Sequence, residues 1–525
     1  MAMTKQNYKN DCIIFNTLNE LVPQEHLVRK LDNCIEFTFI EELVKDLYSD
    51  SGRPSIPPVV LFKLLFINII FGINSMRRTC EECKVNIAYR WFLGLSMYDD
   101  IPNYSTWSQN YIRRYNDSDV FNKIFEKILN QAMKYGFIDT ETVFGDGTHQ
   151  KANANKNKHK DVEVEIVKKG YEDKLLEEIN EDRINHGKKP INSLDKKEIM
   201  FDEETGEIIE NKDTKHIKES LTDPESGCFH KGEKEKCFAY THQVFCDKNG
   251  FVLAKTTTPG NIHDSVAFFE AYNILNEKFK DEIKNVCLDA GYVNSAICRE
   301  IILNGHTPLM PYKSPMTGKG LFKKYEYVYD EYYDCYICPN NEILSYSTTD
   351  KNGYKQYKSN PDKCVNCPLR EQCTKSINCQ KVVTRHIWEE YKEQANENRY
   401  TQNWKDNYPQ RKETIERVFG DCKEQHNLRF TRIRGLLKNE QNSTMIFTCH
   451  NLKKMAIWRW KTSPNRSLIK QIIAKILKFT KKEAYSILNI PLCQQSEKPI
   501  YRLFSFSHLP LYLLLFLKES YKIIY

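Results

Sequence analysis

Three acidic residues, far apart in this chain, have the types and settings that phosphoryl-transfer chemistry uses. Asp289 closes the apolar run Val286-Cys287-Leu288 and enters a Gly-containing turn, Ala290-Gly291-Tyr292. Asp146 closes a second run, Thr142-Val-Phe-Gly, and precedes Gly147-Thr148-His149. Carboxylates held at strand ends neither pair in a ladder nor disperse along a helix face, and such groups grip hard divalent cations. Taken singly, the plainer reading of each is a turn aspartate that caps its own backbone. The third residue, Glu416, lies in Arg411-Lys-Glu-Thr-Ile-Glu-Arg-Val-Phe-Gly-Asp-Cys-Lys423. At about 100° per residue, Ile415, Val418, Phe419 and Cys422 form one apolar stripe, with Glu416, Lys412 and Lys423 along its edge. Glu413 and Asp421 point to solvent. A simple i,i+4 pair would account for Glu416 alone. Together with the two aspartates, Glu416 is better read as a third metal ligand, Lys412 and Lys423 as phosphate contacts, and Arg417 as a further contact to DNA.

The elements that must position these groups follow from pattern. Residues from about 23 to 135 predict helices: Pro57-Pro58 opens a strongly apolar one, Ser75 caps a second, and Asp117 or Ser118 a third running through Val120, Phe121, Ile124, Phe125, Ile128 and Leu129. Ile101-Pro-Asn-Tyr-Ser-Thr-Trp is a loop ending in a helix cap. Arg77, Arg78, Arg113 and Arg114 on the outside suit either a DNA-binding module or an ordinary scaffold. Strand signals follow at Thr142–His149, Cys237–Cys246 and Phe251–Thr258, the last two joined by the hairpin signature Asp247-Lys-Asn-Gly250. A helix capped by Asp264, the Asp289 strand, a helix near Ser295–Leu303 and a strand at Thr307–Tyr312 complete an α/β unit with a mixed sheet. The Lys/Glu/Asn-rich tract from Lys151 to about Lys218 predicts an exposed helical or disordered insertion.

Composition narrows the class. A length of 525 residues calls for several domains, and 40% hydrophobic with 12% aromatic residues excludes a disordered chain. The net charge is only +7, but Lys381–Lys482 holds 23 Lys/Arg against 10 Asp/Glu, so the basic surface concentrates in the C-terminal third. That distribution suits a polyanion. Residues 1–10 lack the apolar stretch of a secretory signal. Val59–Gly72 is too short to span a bilayer, and Leu503–Leu517 is short and broken by His508 and Pro510; no membrane segment is expected.

Cys335-x-x-Cys338 and Cys364-x-x-Cys367, with Cys373 and Cys379 after them, offer the four thiolates of a tetrahedral structural Zn²⁺ site around a β-hairpin. Reduced, metal-free cysteines are the alternative. Lys351, Lys355 and Lys358 would let such a ribbon touch DNA. His149 and His263 flank the acidic loops as structural histidines, and Tyr292 either stacks on a displaced base or packs under its turn.

Asp146-Gly-Thr-His, Asp289-Ala-Gly-Tyr292 and Glu416 with Lys423 seven residues on resemble the DDE transposases of bacterial insertion sequences, most closely the insertion sequence 1182 type. The likeness extends over Phe71-Gly-Ile-Asn-Ser-Met-Arg-Arg, Trp91-Phe-Leu-Gly-Leu, Pro102-Asn-Tyr-Ser-Thr, Thr222-Asp-Pro-Glu-Ser-Gly, Lys231-Gly-Glu-Lys, Gly260-Asn-Ile-His-Asp264 and Arg434-Gly-Leu, or roughly residues 15 to 460. It implies a helical N-terminal domain over 15–135 and an RNase H-like catalytic domain over 140–460. Within the latter it implies a charged insertion at about 151–220 and a Cys-rich insertion at about 320–380, leaving 461–525 as a tail. It also implies catalysis by Asp146, Asp289 and Glu416 with Mg²⁺ or Mn²⁺, acting on terminal inverted repeats and target DNA. A homodimer on paired ends, in the bacterial cytoplasm with the nucleoid, goes with that reading. One departure stands out: where related families place a Tyr and an Arg ahead of the Glu, this chain has Pro409 and Lys412, with Tyr408 and Arg411 each one residue early. A non-catalytic zinc-containing DNA-binding protein and a metal-dependent nuclease of the same fold are the rival readings.

Overall fold

The computed structural model describes residues 16–462 apart from residues 50 and 53 and short segments at 166–170, 192–198, 202–207, 211–213, 232–234 and 315–316. The C-terminal tail, including Leu503–Leu517, lies outside the described residues. Two compact units divide at residue 462; all that follows concerns the first.

The N-terminal part is helical. Helix α1 (Pro58–Ile70) is buried along most of its length, and Ser75 caps α2 (Met76–Val85) by accepting from the Arg78 amide. In α3 (Val120–Lys134) the expected apolar positions are buried, but its cap position is Asp119, which makes no side-chain capping bond. Neither Asp117 nor Ser118 caps it. The long apolar face packs this helix without a local cap, as tertiary contact outweighs end effects of about 1 kcal/mol.

The second part is built on a mixed sheet. Its strands are β1 (Thr142–Lys151), β4 (Gly227–Lys231), β5 (Glu235–Asp247), β6 (Val252–Pro259), β7 (Asn285–Cys287) and β8 (Thr307–Leu309), while β2 (His159–Glu165) and β3 (Thr214–Ser220) form a separate two-stranded antiparallel sheet. β1 pairs antiparallel with β5 on one side and parallel with β7 on the other; β7 pairs parallel with β8, and β5 antiparallel with β6. Read across, the order is β8-β7-β1-β5-β6, with β4 beside the start of β5. Gly250, at φ +75°, makes the predicted hairpin between β5 and β6. Helices α5 (Asp264–Phe279) and α6 (Ser295–Leu303) make the crossovers between parallel strands.

The charged insertion is more structured than its composition suggests. Between β2 and β3 runs helix α4 (Glu172–Asn185), whose Leu175 and Ile179 are buried beside Ala296 and Trp388. Two apolar residues four apart give a narrow stripe, enough to dock one helix but too sparse to stand out in a polar tract. A five-stranded antiparallel sheet follows: β9 (Val328–Asp330), β10 (Cys335–Ile337), β11 (Ile343–Thr349), β12 (Tyr354–Ser359) and β13 (Val382–His386). The chain then closes with α7 (Arg411–Gln425) and the long α8 (Leu436–Thr462).

One hydrophobic cluster runs from Val22 through α1, α3, the mixed sheet and α7 to Ala456, so the helical part and the sheet share a core. Polar contacts tie them further: the Tyr111 hydroxyl donates to Gln441 at 2.5 Å, and His426 Nδ1 lies 3.0 Å from the Ile69 carbonyl. Two of the quoted motifs meet at the start of α8, where Asp223 and Glu225 accept from the amides of Gly435 and Leu436. They cap otherwise unsatisfied donors at a positive helix end. Among the described residues no helix is long and apolar enough to cross a membrane.

Candidate active site

The parallel register of β1 and β7 decides where the two aspartates stand. Thr142, Val143 and Phe144 are level with Asn285, Val286 and Cys287. Asp146 and Asp289 each lie two residues beyond the last paired positions, Phe144 and Cys287, and they stand close enough for Asp289 to raise the Asp146 carboxyl. Asp146 does not end its strand, contrary to the sequence expectation: β1 continues to Lys151 against β5. It is β7 that stops, and its departure leaves the flank of Asp146 open. Asp289 Oδ1 accepts from the Gly291 amide at 2.7 Å, the turn-capping bond foreseen for it.

Helix α7 crosses this edge. Ile415, Val418, Phe419 and Cys422 are buried as predicted, and Glu416 sits at the rim with its side chain 52% exposed. The residue linking the helix to the strand is Arg411. Its guanidinium meets Asp146 Oδ2 at 2.5 Å and Glu416 Oε1 at 3.4 Å, so one cation spans two of the three carboxylates. Arg411 and Asp146 are largely buried, at 11% and 19% side-chain exposure. Lys412, assigned the phosphate-facing role from sequence, is exposed. The wheel contained the signal for Arg411. At about 100° per residue it falls between Val418 and Cys422, inside the apolar stripe, and a buried guanidinium requires an anion. Lys423 is half-buried. Arg417 lines a separate cleft of about 530 Å³ with Lys248, Lys453, Lys454 and Lys461, and Glu413 and Asp421, expected to point to solvent, line it as well.

Electrostatics set this cluster apart. Burial lifts the Asp146 carboxyl to about 6 even though Arg411 pulls it down, with Asp289 and Asp264 adding to the rise. Asp264 is likewise raised, by burial and by Asp289. Sequence reasoning made Asp264 the cap of α5. The cap is His263, which accepts from the Ser265 amide, and Asp264 lies in the first turn. Its Oδ1 lies 2.9 Å from where a Cβ on Gly147 would stand, with the Tyr292 hydroxyl 3.3 Å from the same point. A side chain at 147 would have to displace the Asp264 carboxylate and would press on the Tyr292 hydroxyl. Tyr292 is 1% exposed and its hydroxyl donates to Gln243 at 2.8 Å, so the ring packs under the turn and offers no face to a base.

Among the described residues, no group of three or more His, Cys, Asp or Glu side chains is arranged to hold a metal ion. At the acidic cluster a cation already stands among the carboxylates, namely Arg411. The donor set is all oxygen, as Mg²⁺ and Mn²⁺ prefer. The residues therefore fit such an ion, provided the guanidinium yields its place. Cys335 is buried within the five-stranded sheet. On β10 it alternates with Tyr336 and faces away from the aromatic core against which Cys338 and Cys373 pack.

Against known families, a model described as Transposase domain (DUF772) matches residues 16–113, and one described as Transposase DDE domain matches residues 337–456. The chain is a DDE transposase of insertion-sequence type. No curated protein and no solved structure matches it. The second match in this transposase contains Arg411 and Glu416 but begins after Asp146 and Asp289, so the role of those aspartates rests on the geometry above.

Proposed function

We propose that this transposase binds the terminal inverted repeats of its element and cuts and joins DNA strands at Asp146, Asp289 and Glu416, on an RNase H-like sheet. The observation that carries the proposal is that Asp146 and Asp289 follow neighbouring parallel strands closely enough for one to raise the other's carboxyl, with Arg411 bridging Asp146 to Glu416. The sheet order β8-β7-β1-β5-β6, with β5 alone antiparallel to both its neighbours, supports the fold assignment. Asp146 and Asp289 would hold divalent cations, Mg²⁺ or Mn²⁺, with Glu416 closing the set from α7. A bound pair of such ions supplies an activated water or DNA 3′-hydroxyl and stabilises the leaving 3′-oxygen. The chain's own part is positional: the strand edge fixes the aspartates, and Arg411 offsets their charge until substrate and ions arrive. The basic cleft of Arg417, Lys248, Lys453, Lys454 and Lys461, together with Lys412 and Lys423, gives the DNA backbone a track. A homodimer would hold the two ends together, working on the bacterial chromosome.

The test uses inverted-repeat DNA with Mg²⁺. Asp289→Ala and Glu416→Ala are each expected to abolish cleavage and joining while DNA binding persists. Cleavage at the wild-type rate by either variant overturns the assignment. Cleavage by the wild type without joining to a target plasmid makes the protein a nuclease of the same fold.

A further inference from the structure

Outside the acidic cluster, one group of metal-binding side chains is drawn together by the fold without serving the chemistry above. It lies at one end of the five-stranded sheet. The row Tyr336–Leu344–Ser359 crosses β10, β11 and β12, and the next row outward ends the sheet. Cys338 emerges there: its amide bonds the Glu342 carbonyl, its Sγ accepts from the Glu342 amide at 3.4 Å, and Asn341 takes a left-handed φ of 59° to turn the chain back. At the same end β12 passes into a short helix, Pro361–Val365, carrying Cys364, whose Sγ lies 3.2 Å from Ser359 Oγ. One turn on, the Cys367 amide bonds the Cys364 carbonyl. Cys373 closes the next helix, Arg370–Cys373, with its Sγ 3.2 Å from the Tyr327 hydroxyl. Burial raises the Cys373 thiol, and the nearby Cys338 and Cys364 add to the rise.

We infer that Cys338, Cys364, Cys367 and Cys373 form a tetrathiolate Zn²⁺ site, with Cys373 taking the place that the paired C-x-x-C spacing gives to Cys335. The sheet needs such a staple. Among the described residues its aromatic core has Tyr327, Tyr336, Leu344, Tyr357 and Val383 as buried members, with Cys338 and Cys373 packed against them, and a core that small gains from a staple. Four thiolates from a strand end and two short helices are the soft, tetrahedral donor set that selects Zn²⁺. Among the described residues these thiols do not form a ready-made metal cluster. Binding would require rotation about their χ1 angles and loss of the thiol protons.

The experiment is elemental analysis of the full-length protein, with Co²⁺ replacing Zn²⁺ as a spectroscopic probe. The wild type is expected to hold one zinc per chain and, with Co²⁺, to show thiolate charge transfer and tetrahedral d–d bands. Cys335→Ser should retain the metal and the bands, whereas Cys373→Ser should lose most of both. A wild type free of zinc and without thiolate bands overturns the site, and loss of metal in Cys335→Ser overturns the ligand set. If Cys373→Ser does not fold, the wild-type spectrum and Cys335→Ser decide between these outcomes. Because none of these readouts involves DNA cleavage, they are independent of the acidic cluster.

Discussion

Replacing Arg411 by Met tests the central contact of the acidic cluster. Met keeps much of the apolar stem, which packs in the stripe between Val418 and Cys422, and removes the guanidinium that joins Asp146 to Glu416. Breaking a buried ion pair by deleting one partner costs about 3–5 kcal/mol. Asp146 softens the loss by taking up a proton. Its carboxyl already stands near 6 with Arg411 drawing it down, and without the guanidinium it rises further. The net destabilisation expected near pH 7.5 is therefore about 2–3 kcal/mol. A divalent ion should then restore the variant. Ligand at a hundredfold its Kd contributes about 2.7 kcal/mol, close to the whole deficit. In the wild type the same ion must first displace Arg411, so its increment should be smaller. Urea unfolding of both proteins, with and without Mn²⁺, measures the four free energies. The reasoning is refuted if the metal-free variant is as stable as the wild type, or if Mn²⁺ stabilises the two equally.

Asp146 must ionise before it can bind a cation, so Mn²⁺ affinity should fall as pH drops through about 6, as titration calorimetry between pH 5 and 8 would show; a flat profile would count against Asp146 as a ligand. Its stability term runs the other way: with a folded-state value above the ordinary carboxylate range, its contribution is present in acid and is lost as pH rises through about 6. Tyr292→Phe should cost about 1–2 kcal/mol through the buried Gln243 left unpaired, with DNA affinity unchanged. A tenfold loss of DNA affinity at normal stability would restore a base-stacking role to the ring.

The order of the sheet elements was legible because each apolar run and crossover helix is a local signal. The hairpin turn at Asp247–Gly250 and the helices at Pro58 and Ser295 are of this kind. What pattern did not reveal was pairing. That β7 stops after Cys287 while β1 runs on to Lys151 is a property of two strands together, and it alone places Asp146 at an open flank without ending its strand. The same holds for α4, whose two buried residues acquire meaning only against Trp388 and Ala296. The place of Cys335 turns on a related point: spacing counts residues along the chain, whereas β alternation turns Cys335 and Cys338 to opposite faces.

For the site itself, the three carboxylates stood out by residue type and setting, but the groups that govern their charge did not. Arg411 sits where an apolar residue belongs, and that conflict between local pattern and residue type is the clue to an ionic partner across the fold. Asp264 was hidden by a sufficient local explanation, helix capping, which its neighbour His263 in fact provides. Among the described residues Asp264 has neither hydrogen bond nor ion pair, and it lies half-buried near Asp146 and Asp289. Asp146, Asp264 and Asp289 thus share a partly desolvated space with one guanidinium, which among these three is bound only to Asp146. An excess of negative charge in such surroundings is held at a cost that protons or cations relieve. That imbalance, more than any single aspartate, is the physical reason to expect divalent metal at this strand edge.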